Sequence, residues 1–136
     1  EGAVVIFLPA DRTPEERFVT IGLRPQDPPP RSNNPTVLAI ERFGGAYVRT
    51  DREGNFLVRL PTPGEYYMLL ISRHVRRSDA AVPEAVVTEM KKYFPDPKNL
   101  IVQAKFHWTA LTVRQNMPPI EYDFDREAET PSKATE

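Results

Sequence analysis

The stretch from residue 44 to residue 74 constrains the fold most, because it contains strand-like segments separated by tight turns. Residues 46–50 are rich in strand formers and lead into residues 51–55 (DREGN). In such a turn Asp and Asn can bond their own backbone, and Gly54 can adopt a positive φ without steric cost. Residues 56–60 (FLVRL) then put Phe56, Val58 and Leu60 on one face and Arg59 on the other, which is the period-two pattern of a half-buried strand.

A second break follows at residues 61–64 (PTPG), where neither proline can donate a hydrogen bond to a β-ladder. The chain then enters residues 66–71 (YYMLLI), which are apolar on both faces. Six residues suit a strand better than a helix, and apolar side chains on both faces indicate cover from both sides. We therefore predict that residues 66–71 form a central strand.

Other strands are expected where apolar runs or alternating patterns end at proline or charged residues. These lie at residues 3–8, 18–23, 100–104, 105–114 and 120–124. Two segments instead have helical spacing. Residues 83–94 begin with a proline suited to a first helical turn, and residues 36–43 are followed by two glycines that would end a short helix.

Together these elements predict a mainly β chain with one substantial helix, inserted at about residues 83–94. We expect an antiparallel sandwich of seven to eight strands. The sandwich domain would span residues 1–124, and residues 125–136 (DREAETPSKATE) have the composition of a polar, disordered C-terminal tail.

Length and composition limit the possible functions. A chain of 136 residues suits one domain, and its net charge of −1 gives no overall attraction to nucleic acid or anionic membranes. No apolar run reaches about 18 residues, so no transmembrane segment is expected. The absence of cysteine excludes disulfides and thiolate sites, and a first residue other than Met suggests a processed form or a fragment.

The turn residues of the central stretch also carry a family resemblance. Thr50-Asp51-x-x-Gly54-x-Phe56, followed by Leu60-Pro61-x-Pro63-Gly64-x-Tyr66, resembles the signature of carboxypeptidase regulatory-like domains. The resemblance implies a transthyretin-like (prealbumin-like) Greek-key sandwich. Such modules occur, in bacteria among others, as non-catalytic parts of exported and envelope proteins. The additional Pro63 departs from the family's shorter turn.

No catalytic or metal-binding motif stands out. The chain has no G-x-S-x-G, Gly-rich phosphate loop or H-E-x-x-H. Ser72 and His74 would share one face of a strand but have no visible third partner, and two isolated histidines (the other is His107) rarely bind zinc. The alternating acids Glu121, Asp123 and Asp125 could hold Ca²⁺, although a solvated acidic strand face explains them as well. Hydroxyisourate hydrolases share the transthyretin-like fold but need a C-terminal Y-R-G-S, and this chain ends in SKATE. We therefore expect no enzyme activity, no cofactor and no metal.

The expected function is that of a structural or protein-interaction subunit of an extracytoplasmic protein or complex, in the periplasm or cell envelope. Candidate partner contacts are the polyproline run, the basic residues after the central strand and two acidic tail residues. They are Pro28, Pro29, Pro30, Arg73, Arg76, Arg77, Glu127 and Glu129. Proline-rich segments lose little entropy when they dock into an aromatic groove, although a stiff surface loop is the simpler interpretation.

A carbohydrate-binding module is the alternative function. Aromatic side chains on the face of a sheet can stack on sugars. The candidates are Tyr47, Tyr66, Tyr67, Trp108 and Tyr122. Most of them also fit the alternating pattern of a core.

Overall fold

The centre of the protein is an open antiparallel sheet of four strands, in a computed structural model that describes residues 2–58, 60, 62–77 and 82–114. The order across the sheet is β2-β1-β3-β4, so that β1 and β3 are central and β2 and β4 form the edges. The strands are β1 (Val4–Pro9), β2 (Ala46–Arg49), β3 (Gly64–Arg76) and β4 (Ala104–Val113). The predicted central strand at 66–71 is confirmed, and β3 extends beyond it at both ends.

Three short helices accompany the sheet: α1 (Pro35–Phe43), α2 (Glu84–Met90) and α3 (Pro97–Ile101). The predicted helix at 36–43 is confirmed. Asn34 Oδ1 accepts hydrogen bonds from the Thr36 and Val37 amides at 2.9 and 3.2 Å, which caps the N-terminus of α1. Gly44 ends it with a φ of 103°, a conformation that glycine adopts without a Cβ clash.

The main core lies between the helices and one face of the sheet, which we call the helix face. Side chains from β1 and β3 alternate onto this face and are fully buried, as the period of a strand requires. They pack against residues of all three helices and of the loops beside them. The largest buried contributors are Ile6, Leu8, Leu23, Ile40, Leu69, Ile71, Met90, Tyr93, Phe94, Leu100 and Ile101.

The opposite face of the sheet, the second face, carries a smaller apolar cluster. Val5, Phe7, Met68 and Leu70 are buried there. The half-buried side chains of residues 56, 58 and 60 pack over them, and the rings of Phe7 and Phe56 lie 6.4 Å apart. Both faces of the two central strands are therefore covered, as predicted.

The described residues confirm a mainly β, antiparallel chain, but with four strands where the pattern predicted more. Residues 18–23 form no strand, residues 21 and 22 lie in a turn, and Val19 and Ile21 face solvent. Residues 56–58 and 60 are irregular. Residues 97–101 form α3, because Asp96 caps a helix that Pro97 starts. The strand predicted at 100–104 is therefore wrong for residues 100–103, and only Ala104 lies in a strand, as the first residue of β4.

The helix predicted at 83–94 is confirmed over a shorter length, since α2 ends at Met90 and residues 91–93 form a turn. The strand predicted at 120–124 lies outside the described residues. So do the tail at 125–136 and the boundary at residue 124. Among the helices of the described part, none is long and apolar enough to span a membrane.

Candidate functional site

The proline-rich loop before α1 is held in shape by a compact turn at its start. The Asp27 amide donates to the Arg24 carbonyl at 3.0 Å, and the Asp27 carboxylate accepts from the Arg24 amide at 3.0 Å. The Arg24 guanidinium adds two hydrogen bonds to the same carboxylate, both at 3.3 Å. Side chain and backbone thus close the turn from both sides.

The charges around Asp27 favour its ionised form. Burial by itself raises the pKa of this carboxyl group. The hydrogen bonds from Arg24 and the positive charges of Arg24 and Arg49 outweigh burial and hold the pKa of Asp27 below its ordinary value. The ion pair therefore stays formed at neutral pH.

Edge strand β2 anchors the loop through Arg49 and Tyr47. The Arg49 guanidinium donates to the carbonyls of Pro25 and Asp27 at 2.8 and 3.0 Å, and to that of Gly2 at 2.9 Å. The buried Tyr47 hydroxyl donates to the Leu23 carbonyl at 2.7 Å. One half-buried guanidinium thus ties the loop, the N-terminal segment and the sheet edge together.

These constraints shape an open groove of about 580 Å³ beside the loop. Its wall combines the proline run with polar residues from the loop, from the start of α1 and from α3. The lining residues are Ile21, Gly22, Arg24, Asp27, Pro28, Pro29, Pro30, Arg31, Asn34 and Asn99. Pro28 and Pro29 are exposed and Pro30 is half-buried, so the predicted proline contact residues form a ridge on the surface. We call this feature the proline groove.

The basic residues after the central strand occupy a different place. Arg73 and Arg76 are exposed at the end of β3. Arg77 is half-buried and donates to the carbonyls of Val102 and Ala104, both at 2.7 Å, with its guanidinium over the Phe106 ring. None of these three arginines lines the proline groove. Arg77 thus fastens the chain to β4, which leaves Arg73 and Arg76 as the exposed charges of the predicted set.

Some of the remaining predicted candidates lie within the described residues and others lie outside them. Glu127, Glu129, Tyr122 and the acids at 121–125 lie outside the described residues. Ser72 is buried, and its hydroxyl accepts from the Val75 amide at 2.9 Å, whereas His74 is exposed. Across the described part of the chain, no three His, Asp or Glu side chains cluster closely enough to hold a metal ion.

A carboxylate on α2 connects the helix to the aromatic side chains of β3 and β4. Glu89 accepts from Trp108 Nε1 at 2.9 Å and from the Tyr67 hydroxyl at 3.1 Å, so both carboxylate oxygens are engaged. The Tyr67 and Trp108 rings are stacked, with centroids 4.7 Å apart. Burial, together with the bond to Glu89, raises the pKa of Tyr67. This arrangement is a structural clamp between α2 and the sheet.

The clamp also limits how the aromatic side chains could bind a carbohydrate. One face of the half-buried Trp108 ring is occupied by Tyr67, and Tyr47 and Tyr66 are buried. No aromatic side chain within the described residues is fully exposed. An aromatic platform for a sugar is therefore not evident on this part of the surface.

The chain should lose stability in alkali through Tyr93. Its buried hydroxyl donates to the Pro9 carbonyl at 3.0 Å. Burial first, then the negative charge of Tyr67, Asp11 and Glu89, raises the pKa of Tyr93 from 10.0 to about 12. The folded chain holds the Tyr93 proton more tightly than the unfolded chain does. The stability that the protonated hydroxyl contributes is therefore complete below pH 10.0 and is lost as the pH approaches 12.

Ultraviolet absorbance of tyrosinate, followed together with circular dichroism, measures this effect. We expect Tyr93 to ionise only with unfolding. In Tyr93→Phe the alkaline decline in stability should be shallower, and stability at neutral pH should fall by about 1 kcal/mol through the lost hydrogen bond. An equal alkaline decline in both proteins would show that Tyr93 does not cause it.

Sequence reasoning identified the proline ridge but missed the side chains that build its groove. Asn34 could have been found, because Asn before Pro-x-x at the start of an apolar repeat is a helix-capping signal. The roles of Arg49 and Asn99 depend on contacts with distant parts of the chain, and no local pattern marks them. No protein-family model, curated protein or solved structure matches the chain.

Proposed function

We propose that this chain is a non-catalytic structural or protein-interaction module and that the proline groove is the surface it offers to a protein partner. The observation that carries the proposal is a proline ridge exposed to solvent on a loop that is fixed from behind. Pro28 and Pro29 are exposed, while Arg49 binds the backbone just before them through the carbonyls of Pro25 and Asp27.

The fixed loop lowers the entropy that association must overcome. A segment that is disordered before binding loses conformational freedom when it docks, and that loss subtracts from affinity. Here the Arg24–Asp27 turn and the Asn34 cap already restrict both ends of the proline run. A ridge of this kind suits an aromatic-lined recess on a partner, as other proline-rich ligands do.

An exposed apolar side chain lies next to the ridge. Ile21, which lines the groove, is 79% exposed. Single exposed apolar residues are ordinary, but one that lines the groove beside an ordered proline ridge extends the apolar area that a partner could bury.

We place this module in an extracytoplasmic protein and within a transthyretin-like sandwich. The turn at 51–55 supports the motif, because Asp51 Oδ1 accepts from the Glu53 and Asn55 amides and Gly54 has a φ of 81°. Phe56 and Val58 lie over the second face of the sheet, where the second layer of a sandwich would pack. The compartment follows from the resemblance alone.

Photo-crosslinking tests the proposal at the groove. A photoreactive phenylalanine derivative at position 21 should give a discrete crosslinked species in envelope extracts of the source organism. Leu57 is the matched control, since it is 74% exposed and apolar but does not line the groove. The same substitution there should give no such species.

Sedimentation analysis of the same extracts gives a second readout. We expect the chain to move with a larger complex, and Ile21→Asp to release it while Leu57→Asp does not. Equal crosslinking from both positions, or a chain that sediments as a monomer and forms no crosslink, would contradict the proposed surface.

A further inference from the structure

We infer that the proline groove binds the carboxylate of an acidic peptide segment, supplied by a protein partner. This inference rests on the proposed function and specifies its partner. Three side chains that line the groove, Asn34, Asn99 and Arg31, carry donor groups with no acceptor among the described residues. That imbalance, within a fixed cleft, is what selects a ligand with acceptor groups.

Two side-chain amides in the groove have their oxygen atoms already engaged. Asn34 Oδ1 accepts from two amides of α1, and Asn99 Oδ1 accepts from the Thr20 hydroxyl at 3.3 Å. Each asparagine therefore has its Nδ2 group left as a donor. Two such amino groups in one groove suit the backbone carbonyls of an extended peptide.

The charged side chains of the groove provide one guanidinium in excess. Asp27 is bound by Arg24, with side-chain exposures of 18% and 40%. Arg31 is exposed, and its guanidinium makes no hydrogen bond or ion pair with the described residues. Two arginines against one aspartate leave one net positive charge, and a guanidinium recognises a carboxylate through two parallel hydrogen bonds.

The composition of the wall favours a peptide over a nucleic acid. A single excess charge is too little for a phosphate backbone, whose binding depends on neutralising several phosphates. The net charge of the chain is −1, which gives no long-range attraction to a polyanion. Ile21 and the three prolines add apolar surface that side chains next to a carboxylate can contact.

Titration of the ¹⁵N-labelled chain by NMR, with capped peptides, tests the inference. The probe is an acetylated, amidated peptide of alternating glycine and glutamate, and its glycine–glutamine counterpart lacks only the charge. We expect the glutamate peptide to shift the side-chain amide signals of Asn34 and Asn99 and the Nε signal of Arg31. The glutamine peptide should bind far more weakly.

Arg31→Gln should weaken binding of the glutamate peptide by roughly ten- to a hundredfold, the range expected for a hydrogen bond to a charged group. Arg52→Gln is the matched control, because Arg52 is exposed in the turn at 51–54 and does not line the groove. It should leave binding unchanged. Equal binding of both peptides, equal loss in both variants, or shifts centred on Arg73 and Arg76 would overturn the inference.

Inorganic phosphate serves as a third probe. Phosphate that produced the same shifts at the same concentration would identify a site for free anions and overturn the peptide assignment. The result is separable from the proposed function, because crosslinking at position 21 needs no carboxylate. A crosslink from position 21 together with no binding of the glutamate peptide to the otherwise unsubstituted chain would leave the interaction module standing and remove this inference.

Discussion

Leu69→Asp is expected to abolish cooperative folding. Leu69 lies in the middle of β3, opposite Ile6 on β1 and Trp108 on β4, and its side chain is fully buried on the helix face of the sheet. A carboxylate at this position would lie in an apolar layer, because the buried cluster around Leu69 consists of apolar residues. Burial of an unpaired charge is costly enough that the chain unfolds or the group becomes protonated.

The magnitudes make this the largest of the expected effects. Truncation of a buried leucine to alanine already costs about 2–5 kcal/mol. Domains of this size have a free energy of unfolding of about 5–15 kcal/mol. The aspartate adds the cost of burying a polar group to the lost apolar contacts, so the total should approach or exceed the stability of the domain.

Thermal melting by circular dichroism and the fluorescence of Trp108, the single tryptophan, report the outcome. Leu69→Ala should fold with a lowered melting temperature, and Leu69→Asp should lack a cooperative transition. Glu53→Ala is the control: Glu53 is exposed in the turn and should change stability by no more than about 0.5 kcal/mol. Normal solubility and melting of Leu69→Asp would mean that β3 is not the central buried strand.

The parts of the fold that could be predicted are those with local causes. The helix at 36–43 was predicted because a run of helical spacing ends at two glycines. Strand β3 was predicted because residues 66–71 are apolar on both faces, and the sheet covers both faces. In each case, the residues that determine the element lie within it or next to it.

The wrong prediction at 18–23 concerns a strand that would need a partner elsewhere in the chain. Phe18 and Thr20 are buried and Val19 and Ile21 are exposed, as an alternating pattern allows, but Leu23 is buried where alternation would expose it. Alternation cannot say whether a neighbouring strand is present to accept the backbone hydrogen bonds. The Phe18 amide donates instead to the Tyr93 carbonyl at 2.7 Å, and Tyr93 does not belong to a strand. An alternating side-chain pattern therefore predicts most of the side chains that are buried, but it does not predict whether the backbone pairs with another strand.

The candidate site divides in the same way. The proline run is visible in the sequence because proline restricts its own backbone. The groove depends on Arg49, which acts on carbonyls 22 and 24 residues away, and on Asn99, whose partner Thr20 is 79 residues away. Arginine in a strand is usually interpreted as a solvent-facing charge, so nothing local distinguishes Arg49 from Arg52.

Arg49→Met is expected to release the proline loop and to cost about 2–4 kcal/mol of stability. The methionine keeps most of the apolar stem but removes the hydrogen bonds to Gly2, Pro25 and Asp27. Hydrogen bonds from a charged group contribute about 1.5–3 kcal/mol each, and bonds that share one guanidinium do not add fully. Arg49→Lys should rescue little, because a single ammonium cannot reproduce the fork that joins separate segments.

Limited trypsin digestion separates loop release from general destabilisation. The bond after Arg24 precedes a proline and resists trypsin, so cleavage after Arg31 reports on the loop itself. In Arg49→Met this cleavage should accelerate about tenfold, as a loss of about 1.4 kcal/mol in local stability implies. Cleavage after Lys91 and Lys92 in the same sample is the internal reference, and Arg52→Met is the matched variant. If cleavage after Arg31 accelerated no more than cleavage after the two lysines, Arg49 would stabilise the whole fold and not the loop in particular. The proposal that the proline ridge is held in a fixed shape before a partner binds would then lose its main support.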